Sequence, residues 1–312
     1  MAPSDASRHT QLPSALAWLR RPSRRADALI ALLFLAPSLF IFCTFIFFPL
    51  AYTFWLSFHK WNMIKPARPF IGLTNYQRLF TSPDFWHVLR NTAVYTAGAV
   101  SLTMLTGLVL ALLLNRPMAN RALYRAAIFS PTVTATVAVA MLWLWIFDPQ
   151  YGLMNELLRA VHLPRLQWLG DPFWALPALI IMGVWKFAGY DMVIFLAGLQ
   201  NIPQELYEAA KIDGANGIDA FRMITLPLLT PTTFFLLTVS IISSFQVFDQ
   251  IFVMTQGGPI NSTNVFVYYL YQNAFKFFEA GYASSIAVVF FAIIMTLTFV
   301  QTRLANRWVH YA

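Results

Sequence analysis

The chain has 312 residues, of which 58% are hydrophobic, 16% aromatic and 11% charged, with a formal net charge of +8. Soluble domains carry roughly 25% charged residues, so this supply is too small to coat a water-soluble globule, and the apolar content excludes a disordered chain. A mean hydropathy of +0.59 and a pI near 9.7 point to a membrane-embedded body whose surplus Lys and Arg sit in cytoplasmic segments, not to nucleic-acid binding.

Residues 1–27, with Arg20, Arg21, Arg24 and Arg25, read as a cytoplasmic tail. The apolar run that follows, 28–58, is far longer than the 7–15-residue core of a signal peptide, so it is expected to stay as a first span, ended or bent at Pro49. Cys43, the single cysteine, lies inside it and forms no internal disulfide. Runs of about 20 apolar residues cross a hydrocarbon layer of ~30 Å as helix. Five more such runs occupy 91–114, 126–147, 173–199, 228–254 and 283–303. Pro177 falls in the opening turn of the fourth, where a missing N–H costs little. The fold class is therefore an all-α membrane protein with six transmembrane helices over residues 28–303 and a short tail, 304–312. The acid-free loop with Arg116, Arg121 and Arg125 places both termini in the cytoplasm, against the pull of Lys60, Lys65, Arg68, Arg78 and Arg90 in the first outer loop. Between the spans, 152–161 reads as a surface helix and 265–278 as an aromatic-rich helix lying at the membrane interface.

Chemistry is conspicuously missing. His9, His59, His87, His162 and His310 are scattered without metal-ligand spacing, and no G-x-S-x-G, H-E-x-x-H or phosphate-binding G-x-x-x-x-G-K-[ST] occurs. The chain reads as a non-enzyme that binds no cofactor of its own.

The longest polar stretch between spans, 201–227, reads as two short helices joined at a glycine. Pro203 suits a first helical position, Glu205 and Glu208 complement the positive end of the dipole, and Ala209 and Ala210 are strong helix formers. Gly214 suits a left-handed helix terminus, and a second helix is expected from near Asp219 to Leu226–Pro227. By pattern alone this is either a connector on the membrane surface or a rigid knob shaped for a partner's cleft.

Glu208–Ala209–Ala210, Asp213–Gly214–Ala215, Phe221, Ile224, Leu226–Pro227 and Pro231 resemble the EAA loop of permease subunits of binding-protein-dependent ABC importers. The flanks, 195–203 before it and Gly257–Gly258–Pro259 after the fifth run, resemble the carbohydrate branch of that family, the maltose and glycerol-3-phosphate type. The resemblance extends over residues 28–303. It implies the type I ABC importer permease fold, with Glu208, Ala209, Ala210, Asp213, Gly214 and Ala215 forming a coupling helix that docks on a cytoplasmic ABC ATPase dimer. ATP and Mg would be used by that ATPase, a second homologous permease would complete the path, and an extracytoplasmic solute-binding protein would deliver the substrate. The location implied is the cytoplasmic (inner) membrane of a bacterium or archaeon.

Ionisable groups inside spans are costly and mark functional sites. Asp191 and Lys186, in the fourth run, lie ~14 Å and ~21 Å above Gln200 at 1.5 Å per residue, bracketing the bilayer midplane where transporter sites commonly lie. Asp249 lies in the fifth run, sharing a helix face with Gln246, as Lys186 does with Tyr190. Lys186 and Asp191, five apart, do not share one. Trp185, Phe187, Tyr190, Phe245 and Gln246 add rings for sugar faces and donors for hydroxyls. The candidate substrate path is thus Trp185, Lys186, Tyr190, Asp191, Phe245, Gln246 and Asp249, with packing or contact to a partner permease as the competing role. A neutral mono- or oligosaccharide is the expected substrate. Glycerol-3-phosphate or a polyol, or transport coupled to an ion gradient instead of ATP, are the alternatives.

Overall fold

The computed structural model describes residues 22–309, with side chains from residue 30 onward. Residues 1–21 with Arg20 and Arg21, the side chains of Arg24 and Arg25, and His310 lie outside the described residues. The chain divides after Trp55 into two units, each taken by itself.

The first unit is a run of helix that begins at Pro22, inside the stretch read as a tail: α1 (Pro22–Phe42), a π-helical turn (Cys43–Phe47) and α2 (Phe48–Leu56). Pro49 does not end it. A proline removes the bond to the carbonyl four residues back and its ring crowds that carbonyl, and the wider turn relieves this, with the N–H of Phe48 donating to the carbonyl of Cys43.

In the second unit α3 (Thr74–Thr81) leads to α4 (Pro83–Leu114), which starts well before the expected 91. Pro83 at its first turn and Asp84 beside it suit a helix start; the added turns are too polar to register as span. Next come α5 (Arg121–Val133) and α6 (Thr136–Ile146), which together form the third span but meet at 97°. The expected single helix over 126–147 is therefore broken at Thr134–Ala135, both of which take extended backbone angles. The short helix α7 (Leu153–Ala160) is anchored by Asn155, whose amide donates to the carbonyls of Pro149 and Leu166 and accepts from the N–H of Leu166 and the Trp168 indole. Just before it, N–H groups of Tyr151 and Gln150 donate to Asp148 and hold its carboxyl below the usual range.

The fourth span is α8 (Ala175–Gln200). It is followed by α9 (Gln204–Ile212), α10 (Gly217–Ala220), a π turn (Phe221–Thr225) and α11 (Leu226–Leu228). The fifth span is α12 (Thr230–Phe245) plus α13 (Asp249–Met254), with a break at 246–248. After α14 (Phe266–Tyr271) and a π turn, α15 (Ala280–Ala305) is the sixth. The aromatic segment around α14 is packed into protein: Phe266 and Tyr268 are fully buried, with Phe85, Tyr282 and Ile286 or with Ile251 and Met254 around them. The turn at 255–264 is fixed to α4 by Asn91, which donates to the carbonyls of Asn261 and Asn264, and by Thr92, which accepts from the N–H of Phe266. Among the described residues the only strand-like pairing is one bridge, His59–Phe70.

Close helix contact decides where the site forms. Gly107 on α4 lies against α8 such that a Cβ would stand 2.5 Å from the Cβ of Asp191, and a Cβ on Gly189 would overlap the backbone carbonyl of Ile128 on α5. Two glycines thus bring α4 and α5 onto α8 around Asp191. Below them Ala111, Leu114, Met192, Phe195, Leu196, Leu199 and Leu229 form an apolar core.

Candidate substrate cavity and coupling loop

The two breaks, in the third and fifth spans, face one cavity of about 490 Å³ walled by α4, α5, α6, α8, α12 and α13. Irregular backbone at membrane depth survives only where protein or a water-filled cavity satisfies it. Lys186 supplies that at the third span. Its ammonium donates to the carbonyls of Pro131 at 3.1 Å and Thr134 at 2.6 Å, while Thr132 Oγ1 donates back to the Lys186 carbonyl at 3.0 Å. These carbonyls end α5, the negative end of its dipole, where a cation is favoured.

The cavity wall includes Tyr190, Asp191, Gln246 and Asp249 from the expected path, together with Phe187. Lys186, Trp185 and Phe245 are not on it. Lys186 is turned into the break; Trp185 packs edge-on against Trp143 with ring centroids 5.7 Å apart; Phe245 is buried against Phe290. Gln246 and Asp249 both reach the cavity, but not as neighbours on one regular helix. Gln246 closes α12 and Asp249 opens α13, with Phe248 between them at φ −141° and ψ −56°. Asp191 is 2% exposed, and its Oδ2 has no hydrogen-bond partner.

Several cavity residues escaped the sequence reading: Tyr95, Thr103, Ser243, Ser244, Phe248 and Gln250. The Gln250 amide donates to the Tyr95 hydroxyl, and Ser244 Oγ donates to Thr96 Oγ1. A signal was present on α4. Asn91, Thr92, Tyr95, Thr96 and Thr103 recur at helical spacing and are all buried, a polar stripe on one face of an otherwise apolar helix.

The loop after α8 is tied together from within. Pro203 precedes the first turn of α9 instead of occupying it, with ψ 132°; a residue before proline avoids helical angles, which ends α8 nearby. At the other end Gly214 has φ +82°, and the N–H groups of Gly214 and Ala215 donate back to the carbonyls of Lys211 and Ala210, the paired closure of a left-handed helix terminus. The second arm starts at Gly217, earlier than the expected Asp219. Asn216 accepts from the N–H groups of Ile218 and Asp219, and Asp219 accepts from the Asn216 N–H, so Asn216 is the cap and Asp219 its partner. Pro227 repeats the device of Pro49, a π turn two residues upstream closed by the Leu226 N–H on the Phe221 carbonyl. Tyr207 and Thr225 join the arms at 2.9 Å. Glu208, Ala209, Asp213 and Gly214 are exposed, Ala210 and Ala215 half-buried, and Gln204 donates to the Glu208 carboxylate at 3.0 Å. Ile212 at 86%, Ile218 at 65% and Met223 at 76% exposure add apolar side chains to this surface.

A cavity between broken spans, followed directly by an exposed helical loop, is the architecture of a membrane permease. The chain belongs to the family described as binding-protein-dependent transport system inner membrane component, whose model matches residues 103–310. It is 36% identical over 280 residues to the trehalose/maltose transport system permease protein MalF of Thermococcus litoralis, covering 90% of this chain and 95% of that one. It is also 36% identical over 296 residues to the sulfoquinovosyl glycerol transport system permease protein SmoG of Agrobacterium fabrum, covering 94% of each. A chain of the bacterial alginate ABC transporter, solved in complex with an alginate pentasaccharide-bound periplasmic protein, superposes with a TM-score of 0.79 at 24% identity, covering 93% of this chain and 98% of that one, which establishes the fold.

Proposed function

We propose that this chain forms, with a second permease, the path by which a sugar enters the cell, driven by ATP hydrolysis on a cytoplasmic ATPase dimer and fed by an extracytoplasmic binding protein. The reading rests most heavily on one relationship. The helix that carries Gly183, Phe187, Tyr190 and Asp191 into the cavity ends three residues before α9 begins, so a pull on α9 moves one wall of the cavity as a rigid body. Helix α9, with Glu208 and Ala209 exposed and Ala210 half-buried beside them, is the docking element, Glu208 meeting a basic residue of the ATPase. Asp213, Gly214 and Ala215 set the bend behind it. Both termini lie in the cytoplasm. Relatives named for trehalose/maltose and sulfoquinovosyl glycerol support a carbohydrate substrate, as do the hydroxyl and amide groups of Thr103, Ser243, Ser244 and Gln246 beside the rings of Phe187 and Tyr190 in one cavity.

The test is sugar uptake into sealed membrane vesicles loaded with ATP. Uptake that requires both ATP and the companion ATPase supports the reading. Uptake that persists without either, or follows an ion gradient, overturns it, as does an Ala209→Cys variant that never cross-links to a nucleotide-hydrolysing neighbour.

A further inference from the structure

The charge on the cavity wall carries the sugar reading, on which this inference rests, one step further. Two carboxylates, Asp191 and Asp249, lie on that wall, and among the described residues no Lys, Arg or His does. Lys186, whose charge reaches Asp249 electrostatically, turns its ammonium off that wall and onto the carbonyls of Pro131 and Thr134, so it offers a ligand no donor there. Asp191 forms no ion pair: among the described residues the salt bridges are Arg78–Glu279, Arg159–Glu156 and Arg165–Glu156, all outside this cavity. It also leaves Oδ2 without a hydrogen-bond donor while 2% exposed. A buried acceptor without a donor is costly, and an ionised carboxylate accepts only, from hydroxyl or ammonium hydrogens.

We propose that the carboxylates of Asp191 and Asp249 read the hydroxyl or ammonium groups of the ligand, so that the cavity takes neutral and cationic sugars and rejects carboxylated, sulfonated and phosphorylated ones. Asp191 is the deeper reader, and Gly107 holds its stem close against α4. Asp249 is exposed at the break of the fifth span, where α13 begins. An anionic ligand beside them finds no basic donor on that wall and brings its own charge against carboxyl oxygens in a poorly screened setting. The hydroxyls of Thr103, Ser243 and Ser244 leave neutral hydrogen bonding in place for the rest of the ring.

The experiment uses this chain with its partner permease and ATPase in nanodiscs, without the binding protein, so that selection upstream does not contribute. Saturation-transfer NMR reads contact with maltotriose, lactose and glucosamine on one side, and glucuronate and trigalacturonate on the other. The expected result is transfer to at least one neutral or cationic probe and, for each acid, less than a tenth of that signal. Asp191→Asn lowers the neutral signal at least fivefold and raises the anionic-to-neutral ratio at least tenfold, with co-elution of the subunits reporting assembly. Asp249→Asn, on an exposed side chain, raises the same ratio at least threefold and keeps the idea testable if Asp191→Asn does not assemble. An acid that matches the neutral probes in the unaltered complex, a ratio unmoved in every variant that assembles, or no transfer from any probe overturns the proposal. The vesicle uptake above decides the import reading separately.

Discussion

The ammonium of Lys186 on α8 lies 2.6 Å from the carbonyl oxygen of Thr134, across the 97° break of the third span. A lysine buried at membrane depth without a carboxylate bonded to it is costly; here the C-terminal end of helix α5 takes that place. The contact also explains how the break persists, since Pro131 and Thr134 would otherwise present orphan carbonyls to an apolar interior.

Lys186→Met is therefore expected to destabilise the chain by about 2 kcal/mol, the order of leaving buried acceptors unpaired, and to lower its thermal midpoint in detergent. Lys186→Arg, which keeps donors and charge, is expected to lose less. Equal midpoints for the unaltered chain and Lys186→Met would show that the carbonyls find other donors.

The close approach at Gly189 gives a sharper steric expectation. An added Cβ meets the backbone carbonyl of Ile128, which has no rotamer by which to withdraw, whereas a Cβ at Gly217 meets nothing within 4 Å. Overpacking of this kind costs about 1–3 kcal/mol. Gly189→Ala should lower the yield of folded protein and shift its melting downward, with Gly217→Ala as the neutral control.

How much of this was legible in the sequence follows from what each feature depends on. The apolar runs and the EAA loop are local, and the five long apolar helices, the bent pair α5–α6 and the helix α9 ending at Gly214 all fall where those local patterns stand. The 97° bend was not readable, because Pro131 alone does not say that Thr134 and Ala135 turn extended; that depends on Lys186, 52 residues further on, reaching the freed carbonyl of Thr134. The break after Gln246 likewise lacks a proline or glycine to announce it. Cavity residues on α8 stood out because charge is rare in a span, whereas Tyr95 and Thr103 on α4 carry no charge and were passed over despite their helical spacing. Phe245 and Trp185 looked like sugar platforms from composition, and only packing separates a ring on the cavity wall from one against another ring.

At the loop, Gly214 stands at φ +82° with open space around it, so the cost of a side chain there is conformational and not steric. Gly214→Ala should cost about 1 kcal/mol, while Gly214→Pro also forfeits the N–H bond to Lys211 and the left-handed angle. Gly214→Pro and Glu208→Lys are each expected to reduce co-purification of the ATPase while membrane insertion stays intact. Undiminished co-purification by both would remove the coupling role from this segment.

Tyr190, Gln246 and Phe245 offer the cleanest separation between a path and a core. Tyr190 and Gln246 line the cavity, and Gln246 is exposed there; Phe245, beside Gln246 in sequence, is 6% exposed and packs on Phe290. Truncating a cavity-lining side chain removes ligand contact and little packing, whereas Phe→Ala in a packed interior costs about 3 kcal/mol. Gln246→Ala should therefore lower uptake severalfold at near-constant thermal midpoint. Tyr190→Ala, whose ring also packs on the apolar core around Met192, should lower uptake severalfold with a smaller loss of midpoint than Phe245→Ala, which should lower the midpoint with uptake per folded complex retained. Measuring both quantities on all three variants decides the matter, because a route that bypassed this cavity would leave uptake untouched in the first two.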